Sequence, residues 1–517
     1  MKEELFGSVI PNDGPAGENQ MKRNKIFIFL LFIISVAEIA AASRIHQEDG
    51  ILPNHSAEFI RTLNRNASLS ADAAFYNPAG LAFMEDGLHV MFSSQTTHVR
   101  KEHTMNYYAV KVEGSNDDQF VQTAHTGSPF EHTNMPDKYF AETTSPVMPD
   151  IDIILKKDNW AAYFDFSVMQ AAPKMHFPYG LAVMDWGHLA EKETSFGENF
   201  GNGAEFNGFY RDSTATRDEM YIGLTVGGAY AINNSLSFSG GLRVIKANGN
   251  MKLSVTDTMY IMDGVNNYAS IEEEWDIDVD SEGTGFGIIL GADYKVSDGL
   301  NFGIKYEYYA PLELKKTTNH FQVPATIEIS GKLDIFKDGT PPGQMPSYGS
   351  SNGNGQSELK VTYPQCLSAG ASYYILDNLR LESSAEITFR ANRDLDGREN
   401  DYNMGYKFGT GLEWTINPTL SASMGYLYNN FGIKDDKRDE ADFLLPSHSV
   451  GSGFGLKLSE NTDFSIGAMY MFTEDKGIDI LEFTHVTTPT WHAVKKDFKE
   501  NRYIFAVGIT YKFDNIF

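Results

Sequence analysis

The sequence predicts an all-β protein, a 14-stranded antiparallel transmembrane β-barrel over residues 88–517. Three observations support this fold class. Apolar and small residues alternate along short segments, short polar turns alternate with long polar connections, and aromatic residues collect at the ends of the segments. The chain of 517 residues also contains 46 Gly, 35 Phe and 26 Tyr. Closed sheets that cross a lipid bilayer typically combine these features.

Alternation is clearest in Tyr221–Ile232, which reads YIGLTVGGAYAI. The large apolar residues of this stretch fall on one face and the small residues on the other, as in a strand. The same pattern returns in 503–513, and Asn233-Asn234 is a typical turn. A soluble sandwich would also alternate. Aromatic residues at strand ends favour the membrane, because rings collect at bilayer interfaces; they are Tyr230, Tyr294, Trp414, Tyr470 and Phe472.

The lengths of the predicted connections alternate strictly along the chain. The short turns are predicted near 156–159, 232–235, 295–299, 376–378, 416–419 and 458–462. The long loops are predicted near 112–149, 171–217, 251–283, 310–357, 392–403, 430–446 and 474–499. Thirteen connections imply fourteen strands, and an even number returns both ends of the barrel to the same side of the membrane.

Composition excludes several classes of partner. The formal charge is −27, so nucleic acid is excluded, because binding phosphate requires clustered Lys and Arg. The acidic residues serve either as solvated loop surface or, in part, as calcium ligands. Asp276, Asp278, Asp280 and Glu282 are the best-spaced group, and we interpret them as one charged face of an extended loop. Cys366 is the only cysteine, which excludes an internal disulfide and a cysteine metal cluster.

The N-terminus has the pattern of an export signal. A basic stretch at 21–25 precedes IFIFLLFIISVA (26–37), and small residues follow up to Ala42. This apolar run is too short to span a bilayer comfortably. We therefore predict a signal peptide over 21–42, with residues 1–20 an upstream extension outside the native start. An uncleaved N-terminal anchor is the alternative.

A stretch ahead of the first strand, 71–82, reads ADAAFYNPAGLA. Its Asn77-Pro78-Ala79 triplet, placed behind a signal peptide and before fourteen strands, resembles the FadL-type outer-membrane transporters (OMPP1/FadL/TodX) of long-chain fatty acids and aromatic hydrocarbons. The resemblance implies that residues 43–87 form a hatch inside the lumen. Phe75, Tyr76, Asn77, Pro78 and Ala79 would be its gating residues. A barrel of fourteen strands is too wide for side chains alone to fill, which agrees with a plug.

The resemblance also raises the question of a kinked third strand with a side opening. Pro173 and Pro178 follow the predicted strand 160–170. Proline donates no ladder hydrogen bond, so pairing must break near both residues. Because they lie at the predicted outer end of the strand, we interpret them as the start of the loop.

No catalytic or metal motif is found in the sequence. The histidines around the first predicted loop are irregularly spaced and are interpreted as solvated; they are His98, His103, His125 and His132. We therefore expect no enzyme activity, metal or cofactor.

The sequence predicts passive uptake of a hydrophobic small molecule, such as a long-chain fatty acid, by an outer-membrane monomer in contact with lipid. Loops 251–283 and 310–357 would catch the substrate with apolar residues, namely Met251, Met259, Met262, Phe321 and Phe336. Two alternatives remain open at this stage: a surface adhesion barrel that uses acidic loops, and a barrel hydrolase.

Overall fold

A computed structural model describes the barrel and the segment that precedes it. The described residues are 56–108, 124–125, 132–133, 138–179, 205–263, 267–322, 356–392, 399–438, 444–483 and 491–513. The predicted signal peptide, the upstream extension, the first part of the hatch and the chain end after 513 lie outside them.

Fourteen long strands in this described part form one closed antiparallel sheet. They are β1 (Gly87–Tyr108), β2 (Tyr139–Lys157), β3 (Trp160–Phe177), β4 (Glu205–Ala231), β5 (Leu236–Asp263), β6 (Asn267–Ser297), β7 (Leu300–Tyr309 and Pro311–Gln322), β8 (Gln356–Thr362 and Cys366–Leu376), β9 (Leu379–Thr388), β10 (Gly405–Asn417), β11 (Leu420–Asn430), β12 (Ser447–Ser459), β13 (Thr462–Thr473 and Lys476–Phe483) and β14 (Trp491–Phe513). The first connection also contains two-residue strands at Ala124–His125 and His132–Thr133.

The barrel closes because β1 pairs with both β2 and β14. The pairing of Leu88 with Phe513 places the start of β1 beside the end of β14. All six predicted short turns are confirmed, each between the strands expected. The fourteen-strand barrel predicted from connection lengths is therefore correct.

The alternation has the sense expected for a membrane barrel. Val226 and Tyr230 of β4 face outward and are each 55% exposed, whereas Thr225 and Ala229, the residues that precede them, are buried. The same holds at the C-terminal strand, where Phe505 is exposed and Ala506 is buried. Apolar side chains thus cover the outer wall, and small or polar side chains line the lumen.

One predicted long loop, 251–283, is wrong. Residues 251–263 and 267–283 extend β5 and β6, and the ladder runs without a break from Leu236–Tyr294 up to Asp263–Asn267. A strand of 28 residues is roughly 90 Å long at about 3.3 Å per residue. Since about ten residues cross a bilayer, this hairpin projects far beyond the membrane. Hydrogen bonding between the strands outweighs the polar composition that suggested a loop.

The short segment ahead of β1 is helical and lies inside the barrel. It contains α1 (Ala57–Thr62), α2 (Ala73–Tyr76) and a 3-10 helix (Pro78–Phe83). We call residues 56–86 the luminal segment. Ser56 begins α1 by accepting a hydrogen bond from the Phe59 backbone N–H, and Leu63 ends it in the left-handed conformation. Among the residues described, no helix is long and apolar enough to cross a membrane.

Inward-facing glycines explain how the luminal segment fits against the wall. A Cβ atom at Gly425 of β11 would overlap the Thr62 carbonyl, and one at Gly451 of β12 would overlap the Ile60 carbonyl. The backbone of α1 therefore approaches these strands closer than any side chain would allow. The glycine-rich hairpins noted in the sequence hence serve the packing of the luminal segment as well as the strands.

Candidate functional site

Buried ion pairs hold the luminal segment in place. Arg65 makes a bidentate pair with Asp72, with Nε–Oδ2 and Nη2–Oδ1 distances of 2.6 and 2.8 Å. Its Nη1 lies 3.7 Å from Glu382 of β9. Arg61 pairs with Glu413 of β10. Because such charges lose their hydration, they are stable only when paired, and the pairs therefore join the segment to the barrel wall.

The pKa shifts follow from this pairing. Burial alone would raise the pKa of Asp72, but the charge of Arg65 and hydroxyl groups of Ser68 and Ser70 outweigh it and lower the pKa below 3.8. A lowered pKa means that the carboxylate stabilises the folded segment fully above its ordinary pKa. This contribution disappears only as the pH falls through the lowered value, so we expect the segment to stay docked at neutral and mildly acidic pH.

The Asn-Pro-Ala triplet forms a rigid turn at the end of the barrel near the short turns. The Asn77 side-chain amide donates to the Ser68 carbonyl oxygen at 3.1 Å and to Asp293 of β6. Pro78 begins the 3-10 helix, a position where its missing N–H costs nothing. Ser237 of β5 donates to the Ala79 carbonyl oxygen at 2.7 Å. The predicted sharp turn inside the lumen is present in the structure.

Phe75 lies two residues before Asn77, and two cations lie close to its ring. The Arg243 guanidinium and the Lys305 ammonium lie 5.0 and 4.9 Å from the centroid of its ring. Lys305 also donates to the Phe75 carbonyl oxygen at 2.7 Å. Cation–π contacts of this kind fix the ring when they are desolvated. Tyr76 turns away and stacks on Phe59 at 5.4 Å.

A small apolar pocket of about 10 Å³ lies in the cluster of side chains against which Phe75 packs. Its lining comes from β4, β5, β6, β7 and the link between the two parts of β8, and includes Tyr221, Ile245, Gly285, Tyr309, Leu312 and Tyr363. Tyr309 and Tyr363 meet edge to face at 5.0 Å, and Phe75 packs against the same cluster. Pockets for small hydrophobic molecules commonly combine apolar walls with a few polar groups at one side. Here Arg243 donates to the Tyr309 hydroxyl at 2.8 Å, and that hydroxyl donates to Glu307 at 2.9 Å, so polar groups adjoin the pocket at Tyr309.

The wall is interrupted next to this pocket. Strands β2 and β3 pair from Lys157–Trp160 to Ile151–Phe166, and then only at Glu142–His176. Residues 143–150 and 167–175 thus leave the ladder between these two strands. Met148, Val168 and Ala171 form an apolar cluster at the interruption. The hydroxyl of Tyr363 donates to the Met169 carbonyl oxygen at 3.4 Å, which places the pocket directly beside this interruption.

Two local interpretations from the sequence are therefore wrong. Pro173 does not start the loop: β3 continues to Phe177, and the ladder with β4 shifts register between Ala172 and Met175. His103 is not a solvated loop residue. It lies inside the barrel on β1, 3% exposed, with its ring stacked on Tyr139 at 5.0 Å. In both cases the strand continued past the position where polar residues suggested a loop.

The structure brings together only some of the predicted gating and substrate-catching residues. Phe75, Tyr76, Asn77, Pro78 and Ala79 all lie in the lumen, but Phe75 alone of them packs against the cluster that lines the pocket. Met251, Met259 and Met262 lie on strand β5 and Phe321 lies on strand β7, in segments that the sequence analysis predicted to be catching loops. Phe336 is outside the described residues. The pocket residues themselves were not predicted, because they come from five strands and share no sequence spacing.

Comparisons with known proteins agree with this geometry. A family described as outer membrane protein transport protein (OMPP1/FadL/TodX) matches residues 63–513. The crystal structure of a Pseudomonas aeruginosa FadL homologue is similar at 16% identity, covering 90% of this chain and 99% of that one, with a TM-score of 0.58. The P. putida toluene transporter TodX is similar at 12% identity, covering 86% and 95%, with a TM-score of 0.52. No match was found among curated proteins.

Proposed function

Because the chain belongs to the OMPP1/FadL/TodX family of outer-membrane transport proteins, we propose that it takes up uncharged hydrophobic small molecules through the pocket beside Phe75. The family consists of outer-membrane transporters for hydrophobic compounds rather than enzymes. The observation that carries the proposal is the apolar pocket, which lies between the luminal segment and the interruption of the wall.

Burial of apolar surface drives the first step. The pocket of about 10 Å³ must first widen to admit a hydrophobic molecule. Each Å² of apolar surface then removed from water contributes roughly 25 cal/mol. Passive uptake requires no cofactor, because the substrate moves down its own concentration gradient. The pocket favours transport over the adhesion alternative, in which a pocket below the surface loops would have no role.

The luminal segment is proposed to act as the hatch. Residues 75–79 include both Phe75, which packs beside the pocket, and the turn at Asn77. Among these five residues, Phe75 alone is half-buried, and the others are buried. A small rotation of Phe75 away from Arg243 would enlarge the pocket, while the ion pairs of Arg61 and Arg65 keep the rest of the segment docked. The apolar residues at the wall interruption would then receive the molecule without exposing it to water.

Charge balance supports an uncharged substrate over a carboxylate. The two cations beside Phe75 already have anionic partners: Lys305 lies 2.7 Å and Arg243 3.4 Å from Glu307, and Arg243 lies 3.7 Å from Asp165. Two cations facing two carboxylates leave no excess positive charge. We therefore expect an alkylbenzene to bind the purified protein more tightly than a long-chain fatty acid at pH 8, as measured by calorimetry. Tighter binding of the fatty acid would contradict this charge argument.

A larger side chain placed in the pocket tests whether the substrate passes through it. Ile245 of β5 is 2% exposed and lines the pocket, whereas Leu242 of the same strand is 62% exposed on the outer wall. We expect Ile245→Trp to reduce uptake of a radiolabelled alkylbenzene at least tenfold, because the indole occupies the pocket. The control Leu242→Trp should leave uptake unchanged. Equal uptake by both variants would contradict the pocket as the route.

A deletion strain tests the function as a whole. Cells that lack the protein should accumulate alkylbenzenes and fatty acids more slowly than the parent strain, and the wild-type gene should restore the rate. Normal growth and uptake on both compound classes would remove the transport proposal.

A further inference from the structure

Three carboxylates meet on the inner wall of the barrel, at the edge of the wall interruption. Asp150 and Asp152 lie on β2 and Asp165 on β3, each with one oxygen within 4.8 Å of an oxygen of the other two. Asp152 stands directly opposite Asp165 in the ladder. Like charges opposite one another destabilise a sheet. This arrangement therefore requires something that offsets the repulsion.

The protein groups described around the cluster do not supply that compensation. Asp152 is 0% exposed, and neither of its carboxylate oxygens has a hydrogen-bond partner; one oxygen each of Asp150 and Asp165 is also without one. The other Asp165 oxygen accepts a hydrogen bond from Thr225 at 2.8 Å. Arg243 approaches it only to 3.7 Å and is shared with Glu307. Buried oxygens without donors are costly, and they point to a missing ligand.

We propose that Asp150, Asp152 and Asp165 bind a calcium ion. A purely carboxylate donor set selects a hard cation over a transition metal that prefers nitrogen or sulfur. Calcium accepts six to eight oxygen ligands in a flexible geometry, whereas magnesium requires a near-ideal octahedron and usually keeps several waters, so a buried cluster of protein carboxylates suits calcium better. A divalent ion together with the positive charge of the nearby Arg243 would neutralise the three carboxylates.

The ion would join β2 to β3 where their pairing stops. Ile151–Phe166 is the last pair before the interruption, and Asp150 is the next residue of β2. Helix α2 of the luminal segment, which ends at Tyr76, contacts β3, the strand that carries Asp165. Calcium would therefore fix one rim of the interruption beside the proposed hatch. This inference does not depend on the identity of the transported molecule.

Calorimetric titration tests the site. The mature protein, purified in detergent and stripped with a chelator, is titrated with CaCl2 and separately with MgCl2. We expect about one calcium per chain, a magnesium affinity at least tenfold weaker, and at least a tenfold loss of calcium affinity in Asp152→Asn. The control Asp276→Asn/Asp280→Asn removes charges of the exposed ladder on β6 and should bind calcium as the wild type does.

A second measurement keeps the test valid if Asp152→Asn folds differently. Without calcium, this variant should unfold at a higher temperature than the wild type, because one of the repelling charges is gone. Added calcium should raise the unfolding temperature of the wild type only. If the wild type binds no calcium, or the loss of binding occurs in the β6 control instead, the site does not exist and the three carboxylates share protons.

Discussion

Replacing Gly425 by alanine is expected to displace the luminal segment and make the barrel leak. The added Cβ would overlap the carbonyl group of Thr62, which is backbone and cannot move aside by a rotamer change. The strand itself tolerates alanine, so the barrel should assemble and keep its heat-modifiable mobility on gels. With the lumen partly open, cells should become several-fold more sensitive to large hydrophilic antibiotics, and liposomes carrying the variant should swell in sugar solutions.

Gly240 provides the matched control. It lies on β5 with its missing side chain directed outward, and a Cβ there would meet nothing within 4 Å. Gly240→Ala should therefore behave as the wild type in both assays. If Gly425→Ala proved as impermeable as this control, the close packing of α1 against β11 would not be what seals the barrel.

Removing the guanidinium of Arg65 is also expected to release the luminal segment. In this case the cause is an unpaired buried charge rather than a steric clash. Arg65→Met leaves the Asp72 carboxylate buried without its principal partner. Breaking one side of a buried ion pair costs about 3–5 kcal/mol, which exceeds what a short segment of two helices can absorb. Limited proteolysis with mass spectrometry should then detect cleavage within residues 56–86 in the folded variant, where the wild type is protected.

Two comparisons identify the cause. Arg100 pairs with Glu142 at 3.0 Å in an exposed position, and surface pairs contribute little, so Arg100→Met should remain protected. The double variant Arg65→Met/Asp72→Leu removes both buried charges and should regain much of the protection. Cleavage of the double variant as fast as Arg65→Met would mean that shape, rather than the unpaired carboxylate, holds the segment.

Most of the barrel could be predicted from local patterns. Alternation along Tyr221–Ile232, turn residues such as Asn233-Asn234 and the sorting of connections by length each reflect the chemistry of a few neighbouring residues. Period-two burial and turn dihedrals do not depend on distant parts of the chain. The number of strands, the outward-facing residues and the six short turns could therefore be predicted from the sequence alone.

The ends of the strands were harder to predict from the sequence. The polar composition of 251–283 predicted a loop, yet residues 251–263 and 267–283 continue β5 and β6 beyond the membrane. His103 was assigned to solvent, yet it stacks inside the barrel. A strand outside the bilayer has no reason to keep an apolar outer face, so its sequence loses the signal that marks the membrane part.

The site depends on contacts between residues far apart in the chain. The pocket joins Phe75 with side chains of five strands, and Asp165 meets Asp152 only because a hairpin pairs them directly. Local composition records neither the register of the strands nor the depth of the luminal segment. Alternation and turn chemistry thus specify a closed sheet in lipid, whereas closure of that sheet around residues 56–86 creates the pocket, the wall interruption and the carboxylate cluster. These arise from long-range packing, which no single stretch of the chain encodes.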